Sequence, residues 1–142
     1  MKRTASAVWM GDLKQGKGSI STQSGVLKDT QYSFTTRFES GIGTNPEELI
    51  AAAHAGCFTM ALSASLGRAG FTPERLATQA TLALEQVQGS WTITTVHLET
   101  SARIPNITRE KFEEIAADAK ANCPVSRVLN AKVSLDAKLE AA

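Results

Sequence analysis

The chain has 142 residues, and its 15 basic and 14 acidic side chains give a formal net charge of +1 at pH 7. This length allows one domain with a core of its own, so we expect a single domain over residues 1–142. The balanced charge gives no long-range field for nucleic acid or an anionic membrane, and we exclude both as partners. Two cysteines without a signal-like apolar N-terminus indicate a cytoplasmic dithiol protein.

The first forty residues have the pattern of strands and turns. Residues 4–9 and 19–23 alternate on either side of a glycine-rich turn, which predicts a hairpin. Residues 31–39 alternate again, and we predict a third strand with Arg37 on its polar face. The opposite face would carry Tyr32, Phe34, Thr36 and Phe38.

Residues 44–67 predict a long helix that is apolar on nearly every side. Thr44 or Asn45 can cap it, Pro46 fits its first position, and two glutamates follow where carboxylates suit a helix N-terminus. The positions between its larger apolar side chains are mostly alanine, so the helix has no polar face. We therefore expect it to be buried. Gly67 or Gly70 would end it.

The same helix is long enough to raise the question of a membrane span. His54, Thr59, Ser63 and Ser65 interrupt its apolar run and no second span exists, so a buried helix is the better interpretation. A domain of this size has difficulty covering every side of such a helix. We therefore expect an obligate homodimer with the central helices near its two-fold axis.

The second half of the chain predicts two long strands, a surface helix and a last strand. A change in the parity of apolar residues predicts a bulge near Thr94 and Thr95. Thr108 can cap the surface helix, which breaks at residues 122–124 before a short helical turn and a strand over 132–139. This order of elements predicts an α+β fold.

Three segments of the chain resemble the OsmC/Ohr family of thiol-dependent peroxidases. They are residues 43–58, with the sequence AHAGCF around Cys57, residues 122–126, with the sequence NCPVS around Cys123, and residues 34–38, which contain Arg37. Residues 16–18 and 22–27 make the OsmC branch the closer match. The resemblance covers essentially the whole chain, and the two cysteine motifs, about 65 residues apart, are more specific together than either alone.

The resemblance implies an intertwined homodimer in which antiparallel sheets enclose two central buried helices. It also implies reduction of organic hydroperoxides at sites on the subunit interface. Cys57 matches the peroxidatic cysteine, Cys123 the resolving cysteine, Arg37 the arginine that holds the thiolate, and Glu47 the carboxylate that orients this arginine. An external dithiol, for which the resemblance suggests a lipoyl-type group, would restore the reduced pair, and no metal or cofactor is expected.

The chemistry explains these residue types. A thiolate attacks the O–O bond, and burial in an apolar helix raises the pKa of a thiol such as Cys57, so a cation must oppose the burial. Arginine stays charged in an apolar site, and its planar fork can bind a thiolate and a carboxylate together. Attack gives a sulfenic acid, which Cys123 converts to a disulfide before further oxidation.

The spacing of Glu47 and Cys57 limits how one guanidinium can meet both. Ten residues along a straight helix span about 15 Å. Either the helix bends within residues 49–53, or Glu47 reaches the Cys57 of the partner subunit. We favour the partner, because antiparallel helices that cross at a dyad bring the end of each near the middle of the other.

Other interpretations of these residues remain open. Cys57 is by itself an ordinary core residue, and Arg37 and Glu47 are ordinary surface charges. His54 lies three residues before Cys57 and could activate it, although a satisfied buried histidine is commoner. The cysteines and histidines lack the paired spacing of a zinc site. The competing functions are a dimeric binding protein for a small apolar ligand and a thiol redox sensor.

Overall fold

The computed structural model describes residues 1–141 and has an α+β architecture. The chain forms two compact units, Met1–Leu49 and the rest of the described residues. In chain order the elements are β1 (Ala5–Met10), β2 (Lys17–Thr22), β3 (Thr30–Tyr32), α1 (Phe34–Phe38), α2 (Pro46–Arg68), β4 (Arg75–Val87), β5 (Ser90–Arg103), α3 (Arg109–Asn122), α4 (Pro124–Val128) and β6 (Lys132–Glu140).

The first unit contains a three-stranded antiparallel sheet. β1 pairs with β2, with Ala7 opposite Ile20, and β2 then pairs with the short strand β3. The hairpin predicted from alternation at the N-terminus is confirmed. Gly18 lies against the rings of Trp9 and Tyr32, where a Cβ atom would come within 2.6 Å of both, so a larger residue cannot replace it without displacing this aromatic pair.

The strand predicted over residues 31–39 is wrong beyond Tyr32, because a short helix begins there. Ser33 caps α1: its Oγ accepts a hydrogen bond from the Thr36 amide (3.3 Å), and the Ser33 amide donates to Thr36 Oγ1 (2.8 Å). This reciprocal pair satisfies the capping-box geometry and turns the chain into a helix in spite of its alternating pattern. Arg37 therefore lies on a helix and not on the polar face of a strand.

The ends of α2 follow the sequence closely. Asn45 Oδ1 accepts from the Glu48 amide (2.8 Å), so the cap is Asn45, and the Thr44 hydroxyl donates to the Glu48 carboxylate (2.8 Å). At the other end the Phe71 amide donates to the Leu66 carbonyl and the Gly70 amide to the Gly67 carbonyl. With Gly70 at a φ of +89°, these bonds form a Schellman motif.

In the second unit, β4 and β5 form a long antiparallel hairpin. Ala83 lies opposite Thr95 but Leu84 opposite Ile93, which leaves Thr94 as the extra residue of a bulge and confirms the prediction. The last strand, β6, runs parallel to β5, so this sheet is mixed and the expectation of antiparallel sheets is wrong for it. The connection through α3 and α4 returns the chain to the end of the sheet where β5 began, as a parallel pairing requires.

The core of this unit lies between α2, α3 and the sheet. Thr108 caps α3 as predicted, through a bond from the Lys111 amide (3.2 Å). α2 contributes a stripe of fully buried side chains at four-residue spacing. The cluster around this stripe joins Phe58, Leu62, Leu66, Val96, Leu98, Ala102, Ile104, Phe112, Ile115, Ala116, Ala119 and Cys123.

The opposite face of α2 is apolar but exposed within the single chain, which differs from the expectation of a helix buried on every side. Met60 is 77% exposed, and a Cβ atom at Gly56 would meet nothing within 4 Å. Within the described residues, α2 alone is long and apolar enough to cross a membrane by length and composition, a test that the core helix of a soluble protein also passes. The exposed face of α2 that carries Met60 and Gly56 is thus an apolar patch, and patches of this kind are usually covered by a partner.

We expect Leu62→Ala to lower the free energy of unfolding by about 2–5 kcal/mol, because it leaves a cavity in a fully buried part of the core. Denaturant titration followed by circular dichroism measures the change. Ser63→Ala on the exposed side of the same helix turn is the matched control and changes stability by about 0.5 kcal/mol or less. Equal effects of the two variants would contradict the assignment of the core.

Candidate active site

The two cysteines, far apart in sequence, lie side by side in the second unit. Cys57 is half-buried in the middle of α2, and Cys123 is fully buried at the junction of α3 and α4. Their Sγ atoms are 2.9 Å apart and share a hydrogen bond, and both cysteines are free thiols. The side chains need only a small movement to reach the covalent S–S distance of about 2.05 Å.

The position of Cys123 follows from the break between two helices. Its amide donates to the Ala119 carbonyl as the last bond of α3, and its carbonyl accepts from the Arg127 amide as the first bond of α4. Pro124 has no amide hydrogen, so Val125 and Ser126 supply the first free amides of α4. The thiol of Cys123 thus lies at a helix start, where a negative charge is stabilised.

The pKa values of the two thiols move in opposite directions. Burial raises the pKa of Cys57, as predicted, and the hydrogen bond with Cys123 raises it further, while the Val125 amide lowers it. Burial also acts to raise the pKa of Cys123, but the Cys57 thiol, the amide and hydroxyl of Ser126 and the Val125 amide outweigh it, so that the pKa is lowered. In the single chain, burial and the neighbouring sulfur thus both oppose ionisation of Cys57.

Arg37 and Glu47 form an ion pair in the first unit. Arg37 Nε donates to Glu47 Oε1 at 2.8 Å, and the guanidinium carbon lies 5.3 Å from the centroid of the Phe38 ring. The Arg37 side chain is 41% exposed and the Glu47 side chain 13% exposed. The bond uses Nε, so within the described residues the two terminal nitrogens of the guanidinium remain available to bind an anion. The structure thus brings these two predicted residues together.

Comparison with protein families matches residues 39–138 to the family described as OsmC-like protein. The chain belongs to the OsmC family. The resemblance predicted from the cysteine and arginine segments is therefore confirmed. The chain is 52% identical over 134 residues to a protein of Escherichia coli (strain K12) named Peroxiredoxin OsmC, and the match covers 94% of each chain. This relative supports the predicted OsmC branch.

Solved structures share the OsmC fold. The organic hydroperoxide resistance protein OhrB of Bacillus subtilis is 26% identical, with a TM-score of 0.66 over 95% of this chain and 98% of its own. An OsmC-like protein of unknown function from Vibrio cholerae has a TM-score of 0.77 at 15% identity, over 96% of this chain and 99% of its own. At this low identity the second likeness bears on the fold alone, and it confirms the predicted OsmC-like α+β architecture.

His54 does not pair with Cys57 in this OsmC family member. Its Nε2 atom lies 2.7 Å from the hydroxyl oxygen of Ser126, and the ring is fully buried. Burial lowers the pKa of His54, so the imidazole is neutral near pH 7. Ser126 received no role from the sequence beyond its place in the motif around Cys123. Its position in the first turn of α4, where side chains interact with the cap, is the signal that could have identified it.

An apolar cavity of about 260 Å³ lies beside Arg37. Its walls are mostly aromatic and comprise Trp9, Leu13, Tyr32, Ser33, Phe34, Arg37 and Phe38. A larger, open concavity of about 650 Å³ lies on the sheet of β4, β5 and β6, where neither cysteine contributes to its wall. The cavity beside Arg37 has the lining expected of a pocket for an apolar ligand, so we favour it over the larger one.

His97 lies apart from the cysteines, on β5. Its Nδ1 atom is 2.6 Å from the Ser134 hydroxyl, and its Nε2 atom is 3.4 Å from Asp136 and 3.8 Å from Glu99. These ligand-type atoms lie within 4.8 Å of one another, but both carboxylates are exposed to water. The group combines one histidine with two carboxylates on adjacent strands, and it does not include a predicted site residue.

Proposed function

We propose that the protein is a cysteine-based peroxidase that reduces organic hydroperoxides to alcohols. The observation that carries this function is the contact between Cys57 and Cys123, whose Sγ atoms are 2.9 Å apart in the core of an OsmC fold. The names of the relatives, Peroxiredoxin OsmC and organic hydroperoxide resistance protein, support it. A pair that can alternate between dithiol and disulfide supplies the two electrons that reduction of a peroxide needs.

The reaction has three steps. The Cys57 thiolate attacks one peroxide oxygen, the O–O bond breaks, and the alkoxide takes a proton and leaves as the alcohol, with a sulfenic acid on Cys57. The Cys123 thiolate then attacks the Cys57 sulfur and forms the disulfide, and the expelled hydroxide takes a proton to become water. An external dithiol reduces the disulfide by exchange and is itself oxidised to a disulfide.

Arg37 supplies the positive charge that moves the negative charge of the pair onto Cys57. In the single chain, burial and the neighbouring sulfur both raise the pKa of Cys57. A guanidinium beside Cys57 lowers that pKa, and the bond from Arg37 Nε to Glu47 fixes the orientation of its fork. α2 continues without interruption from Pro46 to Arg68. The uninterrupted helix argues against a bend within residues 49–53. It supports the alternative, in which the partner subunit supplies the Arg37 and Glu47 pair.

The protein works as a homodimer in which the exposed apolar faces of two α2 helices pack together. Small residues such as Gly56 let two backbones approach closely, and Met60 fills irregular space. The dimer explains why a helix apolar on both sides is stable in a chain of this size. It also brings a second copy of each charged and thiol group to the site.

We expect Met60→Asp to shift the protein from dimer to monomer and to lower peroxidase activity, since it places a charge in the proposed interface. Size-exclusion chromatography with light scattering measures the mass. Ala117→Asp, on the exposed face of α3, is the matched control and stays dimeric. A wild-type protein that is monomeric at micromolar concentration would contradict this arrangement.

The aromatic cavity beside Arg37 favours alkyl or lipid-like hydroperoxides over hydrogen peroxide. A thiol pair must be kept reduced between turnovers, which suits the cytoplasm. The function is tested by consumption of cumene hydroperoxide with a dithiol reductant, compared with consumption of hydrogen peroxide. Turnover with a larger kcat/KM for cumene hydroperoxide supports the function and the preference. Binding of the hydroperoxide without turnover would instead favour a protein that sequesters an apolar ligand.

A further inference from the structure

His54 is a buried titratable group that the three reaction steps do not use. Its ring is fully buried, its Nε2 atom lies 2.7 Å from Ser126 Oγ, and its Nδ1 atom is buried without a hydrogen-bond partner in the described chain. A contact between residues 72 positions apart, with one ring nitrogen unsatisfied, calls for a physical explanation.

The unsatisfied nitrogen indicates where the imidazole proton lies. A neutral ring carries one proton: on Nδ1 it would be a buried donor without an acceptor, whereas on Nε2 it donates to Ser126 Oγ. Orphaned buried N–H groups are rare, and a bare ring nitrogen leaves only a lone pair unmatched. The Nε2–H tautomer is therefore favoured. In this tautomer His54 Nε2–H donates to a lone pair of Ser126 Oγ. The hydroxyl hydrogen of Ser126 is then available for a hydrogen bond to another acceptor.

Ser126 lies in the same helical turn as the Cys123 thiol. Cys123 is the N-cap residue of α4 and Ser126 is its third residue, the two positions whose groups face each other at a helix start. We propose that His54 is a positioning residue for the resolving step, which holds the Ser126 hydroxyl toward Cys123 Sγ so that the hydroxyl stabilises the Cys123 thiolate. The direction in which Ser126 shifts the pKa of Cys123 agrees with this role.

This inference rests on the proposed function and concerns its second step. When Cys57 is a sulfenic acid, it no longer shares a thiol proton with Cys123, and Cys123 must lose its own proton to attack as the anion. Its thiol proton passes to solvent, its electron pair forms the S–S bond, and the S–O bond to Cys57 breaks with hydroxide as the leaving group. The aligned hydroxyl keeps Cys123 ionised in a buried position where desolvation opposes the charge.

The test measures Cys123 without any peroxide. In a Cys57→Ser chain, Cys123 is the sole thiol, and its pKa follows from thiolate absorbance in the far ultraviolet, with the chain that lacks both cysteines as the blank. We expect Ser126→Ala and His54→Leu to raise this pKa and His54→Gln to restore most of it, because a glutamine amide can donate in place of Nε2–H. Circular dichroism checks that each chain is folded.

A kinetic measurement in the chain with both cysteines tests the same role. After one equivalent of hydroperoxide, we expect disulfide formation to slow about tenfold in Ser126→Ala, the loss that follows from one hydrogen bond to a charged group. An unchanged pKa of Cys123 in folded Ser126→Ala and His54→Leu chains would overturn the inference, whatever the peroxidase activity. Raised values would show that His54 and Ser126 stabilise the Cys123 thiolate, and failure of turnover assays would then count against the proposed function and not against this contact.

Discussion

Cys57→Ser reduces the consumption of cumene hydroperoxide to the rate of the dithiol reductant alone. The serine hydroxyl is not ionised near neutral pH and is a poor nucleophile toward the O–O bond, so the first step is lost and not only slowed. The measurement is the initial rate of hydroperoxide loss at saturating dithiol, with circular dichroism to verify that the variant is folded.

Cys123→Ser is the matched control, because it removes the neighbouring sulfur and leaves the attacking one. We expect its first equivalent of hydroperoxide to be reduced, since Cys57 alone forms the sulfenic acid. Continued turnover should then depend on direct attack by the dithiol and should fail progressively as Cys57 is oxidised to the sulfinic acid, which mass spectrometry detects. Full activity in Cys57→Ser would assign the attack to Cys123, the thiol with the lower pKa in the single chain.

Much of the fold could be predicted because its signals are local. The cap and the glycine end of α2, the N-terminal hairpin and the bulge at Thr94 each depend on residues within one or two turns of the feature. The helix at Phe34–Phe38 was missed since two capping hydrogen bonds outweigh an alternating pattern of only nine residues. The direction of β6 was missed because alternation predicts a strand but not its neighbour or its orientation.

The candidate site also combines features that the sequence predicted with features that it could not predict. Motif resemblance predicted Cys57, Cys123, Arg37 and Glu47 as site residues, and the structure shows two contacts among them, Cys57 with Cys123 and Arg37 with Glu47. The contact between His54 and Ser126 could not be predicted, because a contact across 72 positions leaves no periodic or spacing signal in one sequence. The buried helix was predicted correctly on one face only. In the proposed dimer its other face packs against the second subunit, and a single chain does not contain that contact.

Arg37→Gln lowers kcat/KM for organic hydroperoxides at pH 7 by between about tenfold and a thousandfold. An opposite charge beside an ionisable group shifts its pKa by about 1–3 units, and below the pKa each unit changes the ionised fraction tenfold. Burial already raises the pKa of Cys57, and loss of the guanidinium removes the positive charge that counters this shift. The pKa of Cys57 therefore rises, and the fraction of Cys57 present as thiolate at pH 7 decreases.

The pH profile separates this effect from a loss of folding. In Arg37→Gln the acidic limb of kcat/KM moves to higher pH, and activity recovers in part as the pH rises through the new pKa of Cys57, whereas a misfolded protein does not recover. Arg37→Lys keeps the charge but not the planar fork that binds Glu47, so we expect an intermediate loss with a smaller displacement of the limb. If Arg37→Gln lost activity equally at every pH, Arg37 would act on the hydroperoxide itself and not on the ionisation of Cys57, because binding of a neutral substrate does not depend on the thiol proton.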